Sequence, residues 1–228
     1  MEYTIVLSDE LLKAYYDFKN AKEVDQNIIT NLLKYYSRHL TNIAQLKRIA
    51  IEDDSFRKNL LRKGYINQTL EELCEKTTYQ LILNTEKKDY PYININADQI
   101  ERNFTATYGK NESREKTIKH ITALCRKAKY IFIYDRYMTD KVIQKIPHFF
   151  PKNKLNIIYK EGQLSQTQIS RLKKECKNWK IQPDSKNTYH DYHDRYLLID
   201  NNIEIILTSG FDYLFDKNKD FTYIVRNR

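Results

Sequence analysis

Two short apolar segments near the carboxyl terminus, residues 196–199 and 203–207, are separated only by the tripeptide Asp-Asn-Asn. Apolar runs of this length with a polar break between them predict two strands of one sheet. The first run is preceded by His193 and Arg195, and polar residues follow the second. We therefore expect two strands that bring polar side chains to one spot, where a function is to be sought first.

The spacing of these polar residues indicates the chemistry. Successive side chains of a strand point to opposite faces, so His193 and Arg195, two residues apart, share one face. An imidazole can attack phosphorus or move a proton, and a planar guanidinium can bind two phosphate oxygens at once. Asp200, seven residues after His193, is a candidate to hold the tautomer of a histidine. The pattern predicts a site that handles phosphate.

The same residues resemble the signature of the phospholipase D superfamily, His-x-Lys-x4-Asp followed by Gly-Ser-x-Asn. His193 and Asp200 fall on the His and Asp of that signature, and Arg195 replaces its Lys. Thr208 stands where Ser is expected, and Gly210 stands where Asn is expected. The resemblance implies a phospholipase D-like fold.

One branch of that superfamily is more similar still, the phospholipase D-like C-terminal domain of MIT-domain proteins. The shared features are the tripeptide His-Asp-Arg at residues 193–195 and the segment Gly-Phe-Asp-Tyr at residues 210–213. Residues 133–137 also resemble that domain, in which a strand ends in an acidic residue with an aromatic one two positions on. The resemblance covers about residues 98–228. Domains of this branch are associated with acidic-lipid membranes rather than with turnover.

The resemblance to the superfamily implies a role for each matched residue. His193 would be the nucleophile that forms a phospho-histidine, and Arg195 would stabilise the trigonal-bipyramidal phosphate. Asp200 would orient an imidazole, and Thr208 would donate a hydrogen bond to an oxyanion. The chemistry of the family uses no metal, and we expect no cofactor. It needs two histidines across one phosphate, so a chain with a single motif is expected to act as a homodimer.

Further polar residues are candidates for the same pocket. Asp135, Arg136 and Tyr137 follow a predicted buried strand, at the position where open α/β sheets bind ligands. The alternative for them is a strand-end turn with a surface ion pair. His190 is a candidate second imidazole, with an ordinary loop histidine as the alternative. The remaining pocket candidates are Ser209 and Asp212.

Positive charge is concentrated in the part of the chain that carries the motif. Residues 1–97 contain 14 Lys and Arg and 14 Asp and Glu, whereas residues 98–228 contain 25 and 16, a net charge of +9. A basic surface favours a polyanionic partner, nucleic acid first and an acidic membrane surface as the alternative. One lysine cluster is a candidate phosphate-tracking patch, or simply the solvated side of a helix. Its members are Lys173, Lys174, Lys177 and Lys180.

Helical periodicity dominates residues 1–77. Ser8 is a predicted N-cap of a first helix, and Asp25 is the predicted N-cap of a long second helix that extends through residue 50. Thr69 begins a capping box for a further helix. This part of the chain is therefore predicted to be all-helical.

The pattern changes after that point. Short β-like runs at residues 79–83 and 92–95 flank a charged segment with a proline, and we place a domain boundary near residue 97. From there, strands alternate with helices, which predicts a mixed and mostly covered sheet. The predicted fold class is α/β, a phospholipase D-like domain at residues 98–228 flanked by helices, after a helical N-terminal subdomain at residues 1–97.

Further sequence features indicate the cellular compartment and exclude several classes of enzyme. The three cysteines show no pairing or metal-binding pattern, and neither a run of 18 apolar residues nor a signal peptide is evident. We therefore expect a cytoplasmic protein without disulfides or zinc. No phosphate-binding loop of nucleotide hydrolases, nucleophile elbow or zinc-protease helix motif occurs.

Two functions fit these observations. The first is a metal-independent phosphodiesterase or nuclease acting on nucleic acid, with a bacterial defence or toxin system as its proposed setting. The second is a non-catalytic module that binds the phosphates of acidic lipid or nucleic acid. In either case the N-terminal part is a candidate to bind another protein.

Overall fold

The computed structural model describes residues 3–35, 37–101, 104–186 and 192–228. The chain divides into two compact units, Met1–Arg102 and Asn103–Arg228. The sequence predicted this division near residue 97. Within the described residues, no helix is long and apolar enough to cross a membrane.

The first unit contains a parallel sheet of short strands as well as helices. Its elements are β1 Ile5–Leu7, α1 Asp9–Lys19, α2 Gln26–Lys34, β2 His39–Leu40, α3 Ile43–Arg48, α4 Asp54–Arg62, α5 Leu70–Cys74, β3 Ile82–Asn84, β4 Tyr92–Asn94 and β5 Ile100–Glu101. The strand order is β2-β1-β3-β4, and every neighbouring pair is parallel. Val6, Leu40 and Ile82 are fully buried at its centre.

The prediction of an all-helical N-terminal subdomain is therefore wrong. The predicted helix 25–50 is interrupted, since α2 ends at Lys34 and β2 pairs with β1 before α3 begins. A strand of two residues is too short to show an alternating pattern, so Leu40 also fits an apolar helical stripe. The predicted caps do form, with Ser8 Oγ accepting from Leu11 N at 3.3 Å and a capping box at Thr69.

The second unit is a mixed sheet covered by helices, which confirms the predicted α/β fold class. Its elements are β6 Thr105–Tyr108, α6 Glu115–Cys125, β7 Tyr130–Tyr134, α7 Asp140–Phe149, β8 Leu155–Tyr159, α8 Gln166–Glu175, β9 Trp179–Pro183, β10 Arg195–Ile199, β11 Ile203–Leu207, α9 Asp212–Phe215 and β12 Phe221–Asn227. The strand order within the unit is β6-β12-β11-β10-β7-β8-β9. Strands β7, β8 and β9 are parallel, and β10 is antiparallel to both β7 and β11.

In this topology the strands begin and end at two opposite edges of the sheet. Strands β7, β8, β9 and β11 end at one edge, where β10 and β12 begin; we call it the site edge. Arg195 pairs with Leu207 and Tyr196 pairs with Tyr134, which places the two halves of the motif there. The opposite edge, where β7 begins and β10 ends, is the far edge.

Candidate phosphate-binding site

Arg195 is a cation of the site edge whose side chain is anchored by several contacts. It is the first residue of β10, and its side chain is 23% exposed. Nη1 donates hydrogen bonds to the carbonyl oxygens of Thr208, at 3.2 Å, and His193, at 3.4 Å. Nε lies 3.8 Å from Oδ1 of Asp135. Within the described ranges Nη2 has no acceptor in reach, so its two N–H groups are available to a ligand.

Asp135 supports Arg195 from within the core. The residue follows β7 and is completely buried. Its Oδ1 accepts from Tyr137 N at 2.9 Å and its Oδ2 accepts from Phe211 N at 2.8 Å. Burial raises the pKa of the Asp135 carboxyl, and the two N–H groups and Arg195 partly oppose that rise. The carboxylate therefore ties the end of β7 to the segment after β11 and provides a counter-charge to Arg195.

Gly210 is where this sequence departs from the superfamily signature, and Asp135 lies next to that position. A Cβ on Gly210 would lie 3.4 Å from Asp135 Oδ2, the short limit of an ordinary contact. That oxygen accepts a hydrogen bond from Phe211 N, which restricts its freedom to move away. A side chain at position 210 would therefore start in contact with the Asp135 carboxylate.

His193 lies in the segment just before β10 and is exposed. Within the described part of the chain its ring makes no hydrogen bond or ion pair. Its backbone carbonyl accepts from Arg195, which holds the two residues beside one another along the chain. An exposed imidazole next to an anchored guanidinium can approach a phosphate that the guanidinium binds.

The prediction that Asp200 orients a histidine at this site is wrong. Asp200 lies at the far edge, directly after β10. Arg195 begins that strand five residues earlier, so the two residues are separated by about 16 Å. Oδ1 of Asp200 accepts from Lys129 N at 2.9 Å and Tyr130 N at 2.8 Å. Asp200 also has a positive φ of 51°. It is a turn residue that caps the start of β7.

Thr208, the fourth predicted catalytic residue, lies at the site edge, but its hydroxyl is hydrogen-bonded to the backbone. Oγ1 accepts from Thr222 N at 3.2 Å and donates to Thr222 O at 3.4 Å. The hydroxyl therefore joins the end of β11 to β12. It is the carbonyl of Thr208 that contributes to the site, because it positions Arg195.

The remaining pocket candidates are at the site edge in different roles. Arg136 is exposed, and its Nε donates to the Tyr134 hydroxyl at 3.2 Å. Tyr137 is 71% exposed. Ser209 Oγ donates to Asp220 O at 3.0 Å, and Asp212 Oδ1 accepts from the Thr139 hydroxyl at 2.6 Å. His190 lies outside the described residues.

The predicted lysine patch is not part of this site. Lys173 and Lys174 occupy the last turn of α8, which returns the chain from the end of β8 to the start of β9. Lys177 precedes β9, and Lys180 is its second residue, paired in register with Asn156. All four side chains are exposed, and the first three lie toward the far edge. Only Lys173 and Lys174 belong to the helix, and their position in the sequence does not say which end of the sheet they reach.

Two residues after β8 belong to the site and were missed. Gln163 Oε1 accepts from Lys160 N at 3.1 Å and Asp135 N at 3.5 Å, so it joins the ends of β7 and β8. Nζ of Lys160 lies 5.4 Å from the centre of the Tyr134 ring. Lys160 is thus a third cation at this edge, with Arg136 and Arg195. The rule that singled out Asp135, that ligands bind beyond the carboxyl ends of strands, also applies to these two residues.

No protein-family model and no curated protein matches the sequence. Among solved structures, part of the chain resembles NucT from Helicobacter pylori, with 14% identity over 53% of this chain and 84% of that chain, at a TM-score of 0.35. Nuc from Salmonella typhimurium, a phospholipase D family member, gives 12% identity over 53% of this chain and 82% of that chain, at 0.33. TrmBL2, an archaeal chromatin protein, gives 12% identity over 53% of this chain and 45% of that chain, at 0.28. We draw no functional argument from similarities at these TM-scores.

Proposed function

We propose that the unit Asn103–Arg228 binds a phosphodiester of nucleic acid at Arg195 and His193 and cleaves it without a metal. The observation that carries the proposal is the guanidinium of Arg195. It is fixed by Asp135 and by two carbonyl oxygens while Nη2 is left for a ligand. Charged hydrogen bonds from a guanidinium match phosphate oxygens in geometry and charge. Lys160 and Arg136 at the same edge add positive charge toward the same ligand.

The proposed reaction has two steps. A ring nitrogen of His193 forms a bond to phosphorus, the P–O bond to the leaving nucleoside oxygen breaks, and a second, protonated imidazole gives its proton to that oxygen. Water then attacks the phospho-histidine. The P–N bond breaks, and the water proton returns to the second imidazole. Arg195 balances the phosphate charge through both steps.

The second imidazole sets a requirement on assembly. With one motif per chain, it is supplied by His193 of a second copy in a two-fold dimer, or by His190 of the same chain. The exposure of His193 supports the first source, because an exposed ring at a sheet edge can face its symmetry mate. A role in bacterial defence or as a toxin belongs to the same proposal, and so does membership of the MIT-linked branch.

A second function, phosphate binding without cleavage, is favoured by one observation. Asp200 is at the far edge, and no described carboxylate takes its place beside the His193 ring. An imidazole without an orienting acid is a weaker nucleophile and a weaker base. Such a module would bind phosphates of nucleic acid or acidic lipid through the same Arg195.

One pair of variants separates the two functions. Purified full-length protein is assayed with labelled single-stranded DNA and RNA, for both cleavage and binding, with and without EDTA. For an enzyme, His193→Ala removes cleavage and leaves binding nearly unchanged, and Arg195→Lys keeps most of the cleavage because a lysine can neutralise phosphate. For a binding module, Arg195→Lys weakens binding by about 1–3 kcal/mol, the scale of a charged hydrogen bond, and His193→Ala costs less.

Three results would reject the enzyme. They are the absence of turnover on either substrate over a broad pH range, cleavage that EDTA abolishes and Mg²⁺ restores, and cleavage that survives His193→Ala. If Arg195→Ala also leaves binding unchanged, the site itself is misassigned.

A further inference from the structure

A wide open cleft of about 1060 Å³ lies in the first unit. Its walls come from α1, from β2 with the residue before it, and from α4, and Tyr3 closes one side. The proposed phosphodiester site belongs to the second unit, so this cleft is a separate feature. None of the sequence motifs drew attention to it.

Nearly all charged side chains that line the cleft are positive. A single carboxylate, that of Asp53, faces five cationic side chains. These are Lys19, Arg38, Lys58, Arg62 and Lys63. Within the described residues none of the five lies in an ion pair, while the unit's ion pairs join Lys13, Lys22 and Arg48 to Asp17 and Asp9. Asp53 itself is occupied as the N-cap of α4, with Oδ1 accepting from Phe56 N at 2.8 Å.

Because of this distribution of charges, the net charge of the first 97 residues does not reveal a basic cleft. The first 97 residues sum to zero, 14 basic against 14 acidic side chains. The acidic groups that balance the total are mostly outside the cleft, so the local field within it is positive. A low-dielectric wall lined by one sign of charge concentrates counter-ions of the opposite sign.

Aromatic rings are interleaved with these cations. Tyr15 and Tyr16 lie on α1 with ring centres 6.2 Å apart, and the Tyr15 ring meets His39 edge-on at 5.0 Å. Phe56 and Tyr3 also line the cleft. All four aromatic side chains are half-buried, so each packs on the unit and still reaches the cleft surface.

His39 adds a polar group without a charge. Burial lowers its pKa to about 4, and Lys19 contributes in the same direction. At neutral pH the ring is therefore uncharged and can donate or accept a hydrogen bond. A cleft with mobile cations, aromatic faces and a neutral imidazole offers contacts to phosphate, sugar and base alike.

From this combination we infer that the cleft binds a single strand of nucleic acid, with phosphates on the lysine and arginine side chains and a base against the tyrosines. Stacking on aromatic rings requires unpaired bases, and basic grooves with such rings are how single strands are held without sequence preference. A duplex would present only its backbone. The concave shape also disfavours a flat membrane, which contacts protruding basic groups.

The test measures binding of a fluorescent single-stranded oligonucleotide to the full-length chain carrying Arg195→Ala, so that the site of the second unit contributes little. Into this background are introduced Lys58→Glu with Arg62→Glu, both exposed on α4. The matched control is Lys47→Glu with Lys88→Glu, exposed positions of the same unit outside the cleft with the same change in charge. Circular dichroism verifies that every variant is folded.

The cleft variant is expected to raise Kd at least about tenfold and to reduce the slope of log K against log salt by about 1.4, the value for two lost phosphate contacts on a single strand. The control should stay within about threefold of its parent. Tyr16→Ala should weaken binding by at least about fivefold, whereas Tyr16→Phe, which keeps the ring, should not.

Equal losses in the cleft variant and the control would overturn the inference. So would a duplex of the same sequence that binds as tightly as the single strand. Binding of phosphatidylserine vesicles that depends on Lys58 and Arg62, without oligonucleotide binding, would assign the cleft to lipid and reject nucleic acid. The proposed function is judged separately, by the effect of Arg195→Ala in a chain that already carries Lys58→Glu with Arg62→Glu, so that the cleft contributes little.

Discussion

The carboxylate of Asp135, which is completely buried, lies 3.8 Å from Nε of Arg195, whose guanidinium reaches the surface. The pair connects the core of the sheet to the candidate site. Because Asp135 also accepts from Tyr137 N and Phe211 N, it joins three chain segments at one point. The position of the Arg195 guanidinium therefore depends on a residue that a ligand need not touch.

Replacing Asp135 should affect both stability and ligand binding. In Asp135→Asn the amide has one acceptor oxygen, so at least one of the two backbone N–H groups loses its partner, and we expect a loss of about 1–3 kcal/mol. Urea unfolding followed by the fluorescence of Trp179, the single tryptophan and part of β9 in the same unit, measures this loss. Affinity for an oligonucleotide should fall as well, because Arg195 loses its counter-charge. Asp220→Asn, at an exposed position of the same edge, serves as the control; equal effects of both changes would contradict this role.

Gly210 should tolerate a methyl group better than a larger side chain while Asp135 is present. Gly210→Ala places a methyl group 3.4 Å from a carboxylate oxygen that is held in place, the short limit of an ordinary contact, and we expect a loss of at most about 1 kcal/mol. Gly210→Asn, which restores the signature residue of the superfamily, should cost more. The steric explanation is tested by the double variant with Asp135→Ala, in which the added cost of Gly210→Ala should become smaller. Costs that simply add would show that the two side chains do not compete for space.

Replacing Asp200 is expected to lower the stability of the protein and to leave phosphate binding unchanged. Asp200→Ala removes the acceptor of two backbone N–H groups and places alanine at a positive φ, for a loss of about 1–3 kcal/mol. Asp200→Asn keeps one acceptor oxygen and a residue type that tolerates this backbone conformation, so it should lose less. Oligonucleotide affinity and any cleavage should be unchanged in both. A variant that is stable yet inactive would restore the orienting role that the signature implies.

The pairing of β10 with β11 was predictable from sequence. The apolar runs at residues 196–199 and 203–207 form these two antiparallel strands around the Asp-Asn-Asn turn. The two runs adjoin in the chain, and a short polar break between such runs favours a hairpin. In the first unit the strands have two or three residues, too few for a period to appear.

The candidate site was predictable where residues adjoin in sequence and not where they depend on an edge of the sheet. His193 and Arg195 were placed together because they are two residues apart. Asp200 was placed with them by the signature, yet a full strand separates it from Arg195. Gln163 was overlooked, because its contact with Asp135 depends on how the loop after β8 folds back.

His39 gives a prediction for the pH dependence of stability. Its ring is packed edge-on against Tyr15, and burial together with Lys19 lowers its pKa to about 4, against about 6.5 in an unfolded chain. Between these values the unfolded chain binds more protons, so the free energy of unfolding decreases as pH falls from about 6.5 to about 4. The full effect is on the order of 3 kcal/mol, because each tenfold change in proton affinity corresponds to about 1.36 kcal/mol.

The prediction is tested by urea unfolding of the full-length chain, followed by circular dichroism at several pH values between 7 and 4. Carboxylates also titrate at the low end of this range, so the informative quantity is the difference between wild type and His39→Gln. That variant cannot take up the proton, and its stability should decline less steeply as pH falls. His148→Gln, at an exposed position of α7, should keep the wild-type slope. If His39→Gln follows the wild-type curve throughout, the His39 imidazole is not held neutral by its surroundings, and the uncharged group assigned to the cleft is lost with it.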